Sequence, residues 1–202
     1  MKKRLALIHT SMVFVKVETM MSDIFAEVIP EVDLINIVDD SLLPEVMASG
    51  EISPSVQRRL TAYFKAAEET GAHAIFSLCS SLGPAVDVAR KEVSIPVAKI
   101  DDAMTEKAVD MAERIGVMAT VTTTLRPTVN LIKEKAKTKG KAVDVHPVLV
   151  EGAFELLMAG DKTAHDQKVH SAAVDLADEA RFVGLRAGSS SQFAVRTRRS
   201  YE

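Results

Sequence analysis

Ala74-Ile75-Phe76-Ser77-Leu78-Cys79-Ser80-Ser81-Leu82-Gly83-Pro84 runs from an apolar segment to a thiol, then two hydroxyls, then Gly-Pro. That order predicts a buried strand, a loop and a helix start, with Pro84 near the first helical position, where a missing N–H costs nothing. Cys79 is the only cysteine of the chain and stands at the end of this strand. In open α/β sheets ligands bind beyond the carboxyl ends of the strands, so a thiol there is within reach of one. Helix N-termini facing it would lower its pKa. The competing reading is a small apolar core residue, which is what most lone cysteines are.

Outward from this stretch, strands alternate with helices. On the N-terminal side, Leu5 to His9 reads as a strand with Thr10-Ser11 after it. Val17, Met20, Met21, Ile24, Phe25 and Val28 follow at helical spacing, and Pro30 ends that helix. Val32 to Val38 is a strand closed by Asp39-Asp40-Ser41, and Pro44 to Gly50 a connector. Ser53-Pro54 is an N-cap followed by Pro at the first helical position, and the helix it opens carries Val56, Leu60, Phe64 and Ala67 on one face before Gly71.

On the C-terminal side, a short helix runs from Pro84 to about Glu92, then a strand from Ile95 to Ile100. A helix from Ala103 to about Arg114 shows Met104, Ala108, Met111 and Ala112 on one face, and Asp102 before it looks like an N-cap. The strand Ile115–Ala119 leads into a hydroxyl-rich loop, Thr120 to Thr124, and a helix from Leu125 to Lys139. Ala142 to His146 is a strand closed by Pro147, Glu151–Ala159 and Thr163–Ala180 are helices, and Arg181–Leu185 is a last short strand. The alternation gives an α/β class with parallel sheets. A weak internal repeat sets Leu7-Ile8-His9-Thr10 against Val117-Met118-Ala119-Thr120, and Ala72 to Ile75 against Ala180 to Val183. Two such halves would face each other across a cleft, and Ala187 would then be the counterpart of Cys79.

With 202 residues the chain has room for one domain or two small ones, and 47% apolar residues supply a sizeable core. A net charge of −3 gives no general pull toward nucleic acid. One cysteine excludes an intrachain disulfide and points to a reducing compartment. The apolar run after Met1-Lys2-Lys3-Arg4 stops at His9-Thr10-Ser11, too short for a signal peptide, and no segment approaches the roughly 20 apolar residues of a membrane helix. A cytoplasmic protein is expected. The charge is uneven: Arg181 to Glu202 holds five Arg, no Lys and one acid, net +4, which leaves −7 on the first 180 residues.

Four pieces, in this order, resemble the aspartate/glutamate/hydantoin racemase superfamily: Ile8-His9-Thr10-Ser11, Cys79-Ser80-Ser81-Leu82-Gly83-Pro84, Lys99-Ile100-Asp101-Asp102-Ala103-Met104 and Gly116 to Thr124. The resemblance implies two similar flavodoxin-like parallel-sheet domains, here about 1–102 and 103–202, with the active site in the cleft between them. It implies a cofactor-independent isomerase that abstracts a proton α to a carboxylate of a small amino-acid- or hydantoin-like substrate. Members are often dimers or larger, so a homo-oligomer is expected. Carried over, Cys79 matches the cysteine of the first domain. Ser80 and Ser81 match the loop that holds a substrate carboxylate, Thr10 and Ser11 the loop after the first strand, and Thr120, Thr122, Thr123 and Thr124 the second-half loop. Hydroxyls and amide N–H groups suit a carboxylate. Racemases of this kind carry a second cysteine after the last strand of the second half. Here that region is Leu185-Arg186-Ala187-Gly188-Ser189-Ser190-Ser191, with no thiol, and Ser189 is a further candidate site residue. Alternatives are a one-cysteine relative using Cys79 as nucleophile (a decarboxylase, cis-trans isomerase or hydrolase), or a non-catalytic carboxylate-binding protein. The swing to Arg and Ser in the last 22 residues, where the family has an amphipathic closing helix, suggests an altered reading frame.

Other groups carry weaker signals. His9 stands at a strand end and either orients a substrate, acts as acid or base, or is a structural hydrogen-bonder. His73 reads as structural, and His146 could reach the cleft from the end of its strand. His165 and His170 lie five apart and share no helix face, so they make no metal pair. Asp39-Asp40 and Asp101-Asp102 are acidic strand-end pairs that either bind a metal, serve as a base or cap helices. Asp101 could set the protonation of neighbours in the cleft. No phosphate-binding glycine pattern occurs, and the nine methionines lie mostly at helical core spacing.

Overall fold

The computed structural model describes residues 2–17, 20–179 and 182–186. The chain divides into two compact units, Met1–Ile100 and Asp101–Glu202. The first contains, in order, β1 (Arg4–His9), a π-helical turn (Val13–Val17), α1 (Met20–Val28), β2 (Asp33–Val38), α2 (Leu42–Ser49), α3 (Pro54–Glu69), β3 (Ala74–Ser77), α4 (Gly83–Ala89) running into a 3-10 turn (Arg90–Glu92), and β4 (Val97–Lys99). All four strands are parallel, in the order β2-β1-β3-β4. This is the first part of the flavodoxin-like 2-1-3-4 order, whose ligands lie past the carboxyl ends beside the first strand.

The two faces of β1 go to different layers. Ala6 and Ile8 join Ile75 of β3 in a cluster with Val56, Leu60, Phe64 and Ala67 of α3. Leu7, beside Phe76 in register, points to the other face, where the Phe76 ring meets Phe25 of α1 edge-on at 5.9 Å. A strand covered on both sides explains why the run is apolar without alternation. α3 is built as its sequence foretells. The Ser53 hydroxyl accepts the Val56 N–H at 3.2 Å, Pro54 fills the first position, and Gly71 takes the left-handed conformation past the end (φ 77°).

The second unit contains α5 (Asp102–Met111), β5 (Arg114–Ala119), α6 (Thr122–Thr138), β6 (Asp144–Leu149), α7 (Ala153–Met158), α8 (Lys162–Glu179) and β7 (Phe182–Arg186). Its described strands are also parallel, in the order β6-β5-β7. The arrangement around the central strand matches the first unit: β2-β1-β3 against β6-β5-β7, with Arg4 paired to Asp33 and Arg114 to Asp144 at the same register position. Ile115 and Val117 pack with Ala108, Ile132 and Ala136 of α5 and α6, while Met118 packs on the other face with Ala153, Val169 and Leu176 of α7 and α8.

Several boundaries differ from the sequence expectation, each for a physical reason. The Pro44–Gly50 connector is the body of helix α2, because Pro44 falls in a first turn that needs no N–H from it; Gly50 (φ 74°) caps the end. Thr122, Thr123 and Thr124 form the first turn of α6 rather than a loop, and Pro127 lies inside the helix. Arg114 opens β5 rather than closing the helix before it. On α5 the buried face is Thr105, Ala108 and Val109, with Met111 exposed. Asp101, not Asp102, occupies its N-cap position, and its side chain makes no capping bond. Met47, Met111 and Met158 are exposed, so the methionines are not a core set.

Pro147 does not close β6, which continues through it to Leu149, pairing Pro147 with Val117. The Asp144 N–H donates to the Glu113 carbonyl at 2.7 Å and the Val150 N–H to the Ala119 carbonyl at 2.8 Å. Even-numbered positions therefore face β5, and the nitrogen of Pro147 faces the open edge, where no ladder bond is lost.

Phe64 has no exposed surface and fills the centre of the first core. Phe64→Ala is expected to cost about 3–5 kcal/mol, and Ser53→Ala about 1 kcal/mol through the lost cap. Urea unfolding of the full chain measures both.

Candidate active site at the carboxyl end of the first sheet

Among the described residues, the buried polar ones of the first unit are His9, Thr10, Ser77, Ser80, Ser81 and Lys99. Every one lies at, or just past, the carboxyl end of β1, β3 or β4. Buried polar groups need partners, so their concentration at one edge marks a place built for polar contacts. It is also the edge at which parallel sheets bind ligands.

Cys79 follows β3 by two residues. It is 7% exposed and a member of the cluster formed by Ala6, Ile8, Ile75, Leu82, Ala85 and Val86. The thiol therefore sits at the strand end the sequence assigns to it, packed against the layer that α3 and α4 cover. Ser80 and Ser81 are both 2% exposed, and the Ser80 carbonyl accepts the Gly83 N–H at 2.9 Å, which turns the loop into α4. The loop is tied to the central strand as well, the Leu78 N–H donating to the Ile8 carbonyl at 3.0 Å.

Thr10 is buried and its carbonyl accepts the Leu43 N–H at 2.9 Å; Ser11 is half-buried, its hydroxyl 3.4 Å from the Val13 N–H. His9 is 4% exposed, with Nε2 2.8 Å from Oδ1 of Asn36. Nδ1 is buried and has no hydrogen-bond partner. Burial lowers the His9 pKa, an effect that the Asn36 bond opposes without cancelling. Asp101, two residues past β4, is 2% exposed, and its carbonyl accepts the Thr105 hydroxyl at 2.7 Å.

Lys99 carried no role in the sequence, though a lysine closing an apolar strand was the available signal. It is 5% exposed and pairs in register with Ser77, and its Nζ lies 3.0 and 2.9 Å from the two carboxylate oxygens of Asp87 on α4. A methyl group at Gly83 would meet its Cδ at 3.9 Å, so the lysine stem runs alongside the start of α4. The ion pair thus fastens the helix that follows the Cys79 loop to β4. Asn36 was equally unmarked, because its partner lies on another strand.

In the second unit, Thr120 lies just past β5 and is buried, Thr122 is exposed and Thr123 is half-buried in the first turn of α6. The N-cap position is Val121, which has no side-chain bond to give. His146 is in mid-strand, bonded to Asp144 at 2.8 Å, and does not reach a strand end. His165 is fully buried on α8, with Nδ1 2.7 Å from the Ala153 carbonyl, while His170 is exposed. His73 is structural, its Nδ1 accepting the Arg4 N–H at 3.2 Å. Ser189, Ala187 and the Arg/Ser-rich tail lie outside the described residues. Among the described residues no group of three or more His, Cys, Asp or Glu could hold a metal ion, and no helix is long and apolar enough to cross a membrane.

Asp39, a candidate base at the end of β2, is a structural anchor instead. Its carboxylate accepts the Ser41 hydroxyl at 2.6 Å, the Tyr63 hydroxyl at 2.7 Å and the Arg59 guanidinium at 3.0 Å; Arg59 also pairs with Glu45. Burial alone would raise its pKa, but the Ser41 and Tyr63 hydrogen bonds and the Arg59 charge together hold it below the ordinary carboxylate value.

Both sheets, their orders and the polar strand ends define a parallel α/β fold of the racemase type. It is similar to a glutamate racemase, isoform RacE1, from Bacillus anthracis (TM-score 0.69, 18% identity, 93% of this chain and 68% of that one). It is also similar to the aspartate racemase of Picrophilus torridus (TM-score 0.64, 13% identity, 92% and 81%) and to the allantoin racemase of Klebsiella pneumoniae (TM-score 0.64, 17% identity, 93% and 74%). No curated protein sequence matches the chain. Residues 15–185 match the Asp/Glu/Hydantoin racemase family model, and the chain belongs to that family.

The depressed Asp39 pKa fixes the sign of a pH effect. The carboxylate stabilises the fold above its unfolded value of about 3.9, and that contribution is lost as pH falls through the lower folded value. Asp39→Asn is expected to cost about 1–3 kcal/mol at pH 7, with the difference from the parent chain closing below pH ~4. Urea titrations across pH 3–7 test it.

Proposed function

We propose that the chain is a cofactor-independent isomerase that moves the proton α to the carboxylate of a small amino-acid- or hydantoin-like substrate. Cys79 is the base of this reading. The observation that carries it is that, among the described residues, the buried polar side chains of the first unit lie at the same strand ends as that thiol. The Cys79 thiolate takes the α proton, forming S–H as C–H breaks. The bonding electrons pass into the carboxylate, which becomes an enediolate. That charge is very unfavourable in water and needs donors already in place. Ser80 and Ser81, with Thr10 and Ser11, are the donors at this edge. The family resemblance adds Thr120, Thr122 and Thr123 as candidate carboxylate donors, the last two in the first turn of a helix of 17 residues.

The packing of Cys79 in the apolar cluster favours one other reading, a carboxylate-binding protein without chemistry.

Incubation in D2O with both enantiomers of aspartate, glutamate and 5-benzylhydantoin separates the two. The isomerase places deuterium at the α carbon of unreacted substrate, detected by loss of the α-proton NMR signal, and Cys79→Ser lowers inversion by about 100-fold or more. Thermal stabilisation by a probe without exchange supports binding alone. Loss of neither signal in Cys79→Ser removes the thiol from the reading.

A further inference from the structure

We propose that His9 is the second acid–base group of this site, exchanging a proton with the substrate's α carbon at Nδ1 while Cys79 serves the opposite side. The inference deepens the isomerase reading and rests on it.

The first support is an orphaned atom. His9 closes the central strand at 4% exposure, and its Nδ1 is buried with no hydrogen-bond partner. A buried acceptor without a partner costs about 1–3 kcal/mol, and such an atom in a native structure calls for a role. The rest of the ring is fixed. Nε2 faces Oδ1 of Asn36 at 2.8 Å. An amide oxygen only accepts, so the proton is on Nε2 and the lone pair is on Nδ1. Burial keeps this imidazole neutral, and a neutral ring is a base. Asn36, which touches only His9 in this scheme, is a positioning residue.

The second support is placement. Leu7 and His9 lie on the α1 face of the sheet, the face of Phe76 and Phe25. Cys79 packs with Ala6, Ile8 and Ile75 on the face that α3 and α4 cover. The two groups thus belong to opposite faces of one sheet edge. They are also neighbours along it. Ile8 pairs with Ser77 and the Leu78 N–H donates to the Ile8 carbonyl, so Leu78 flanks His9 and Cys79 follows. In this proposal a substrate carbon at the strand ends meets one group from each side, which is what inversion requires.

The proton count closes. From one enantiomer, Nδ1 takes the α proton, the C–H electrons pass into the carboxylate, and the Cys79 thiol protonates the other side. An imidazolium and a thiolate remain. The other enantiomer is deprotonated by that thiolate and reprotonated by that imidazolium, or proton transfer from imidazolium to thiolate through solvent resets the pair.

The test uses the full chain, the probes named above and D2O. His9→Gln is expected to slow inversion by about 100-fold or more, while deuterium still enters one enantiomer. Cys79→Ser is expected to show exchange in the opposite enantiomer only. Parent chain and His9→Gln inverting equally fast would overturn the His9 role and leave the isomerase reading intact. A parent chain that exchanges none of the probes would overturn both. A second measurement needs no turnover: 15N NMR of histidine-labelled chain at pH 7 is expected to show a bare Nδ1 and a protonated Nε2 for His9. The exposed Asn36→Leu change is expected to mix the tautomers and to lower kcat with KM unchanged. A proton found on Nδ1, or an Asn36→Leu chain with parent tautomer and rate, overturns the proposal.

Discussion

β1 is hydrogen-bonded along both edges, and where its ladder ends its carbonyls are claimed by three separate segments. The Ile8 carbonyl accepts from Leu78, that of His9 from Asp39 and that of Thr10 from Leu43, at 2.9–3.0 Å. Peptide groups in a covered sheet have no water to turn to, so each must be met by protein. Meeting them draws the Cys79 loop, the end of β2 and the start of α2 onto one strand end. The polar side chains of those segments arrive together as a consequence. In the second unit the Ala119 carbonyl accepts from Val150 at 2.8 Å, the same device at the end of the equivalent strand.

Two ionisable groups at this edge show opposite solutions to burial. Asp39 is surrounded by hydroxyls and a guanidinium, and its charge is satisfied within the fold. His9 has one neutral partner and a bare nitrogen. The first arrangement fastens β2 to α2 and α3; the second leaves a capacity unused by the fold itself. That contrast separates an anchor from a candidate for chemistry more clearly than the residue types do.

The strand-helix alternation and the course of α3 were readable in the sequence because each rests on local chemistry: an apolar run, a Ser-Pro start, a glycine past the end. Prolines misled where context reverses their usual meaning. Pro44 sits in a first turn and Pro147 faces an open edge, so neither breaks its element. The threonine run read as a loop because its hydroxyls favour non-helical backbone, yet packing of Thr128, Ile132 and Ala136 draws the helix back to Thr122. At the candidate site, Cys79, the serines and His9 could be named from their place at strand ends. Lys99 and Asn36 could not, since their significance lies in Asp87 and His9, partners on other elements. The burial of Cys79 in a core cluster is a tertiary fact with no trace in its neighbours.

Pro147 bears on how copies of this chain can meet. Among the described residues β6 is the outer strand of its sheet on one side. An outer strand offers unpaired donors to any passing chain, and proteins blunt such rims to avoid fibrous growth. With its nitrogen turned outward and no hydrogen to donate, Pro147 interrupts the row of donors that a docking strand would have to match. Strand addition along that rim is thereby discouraged.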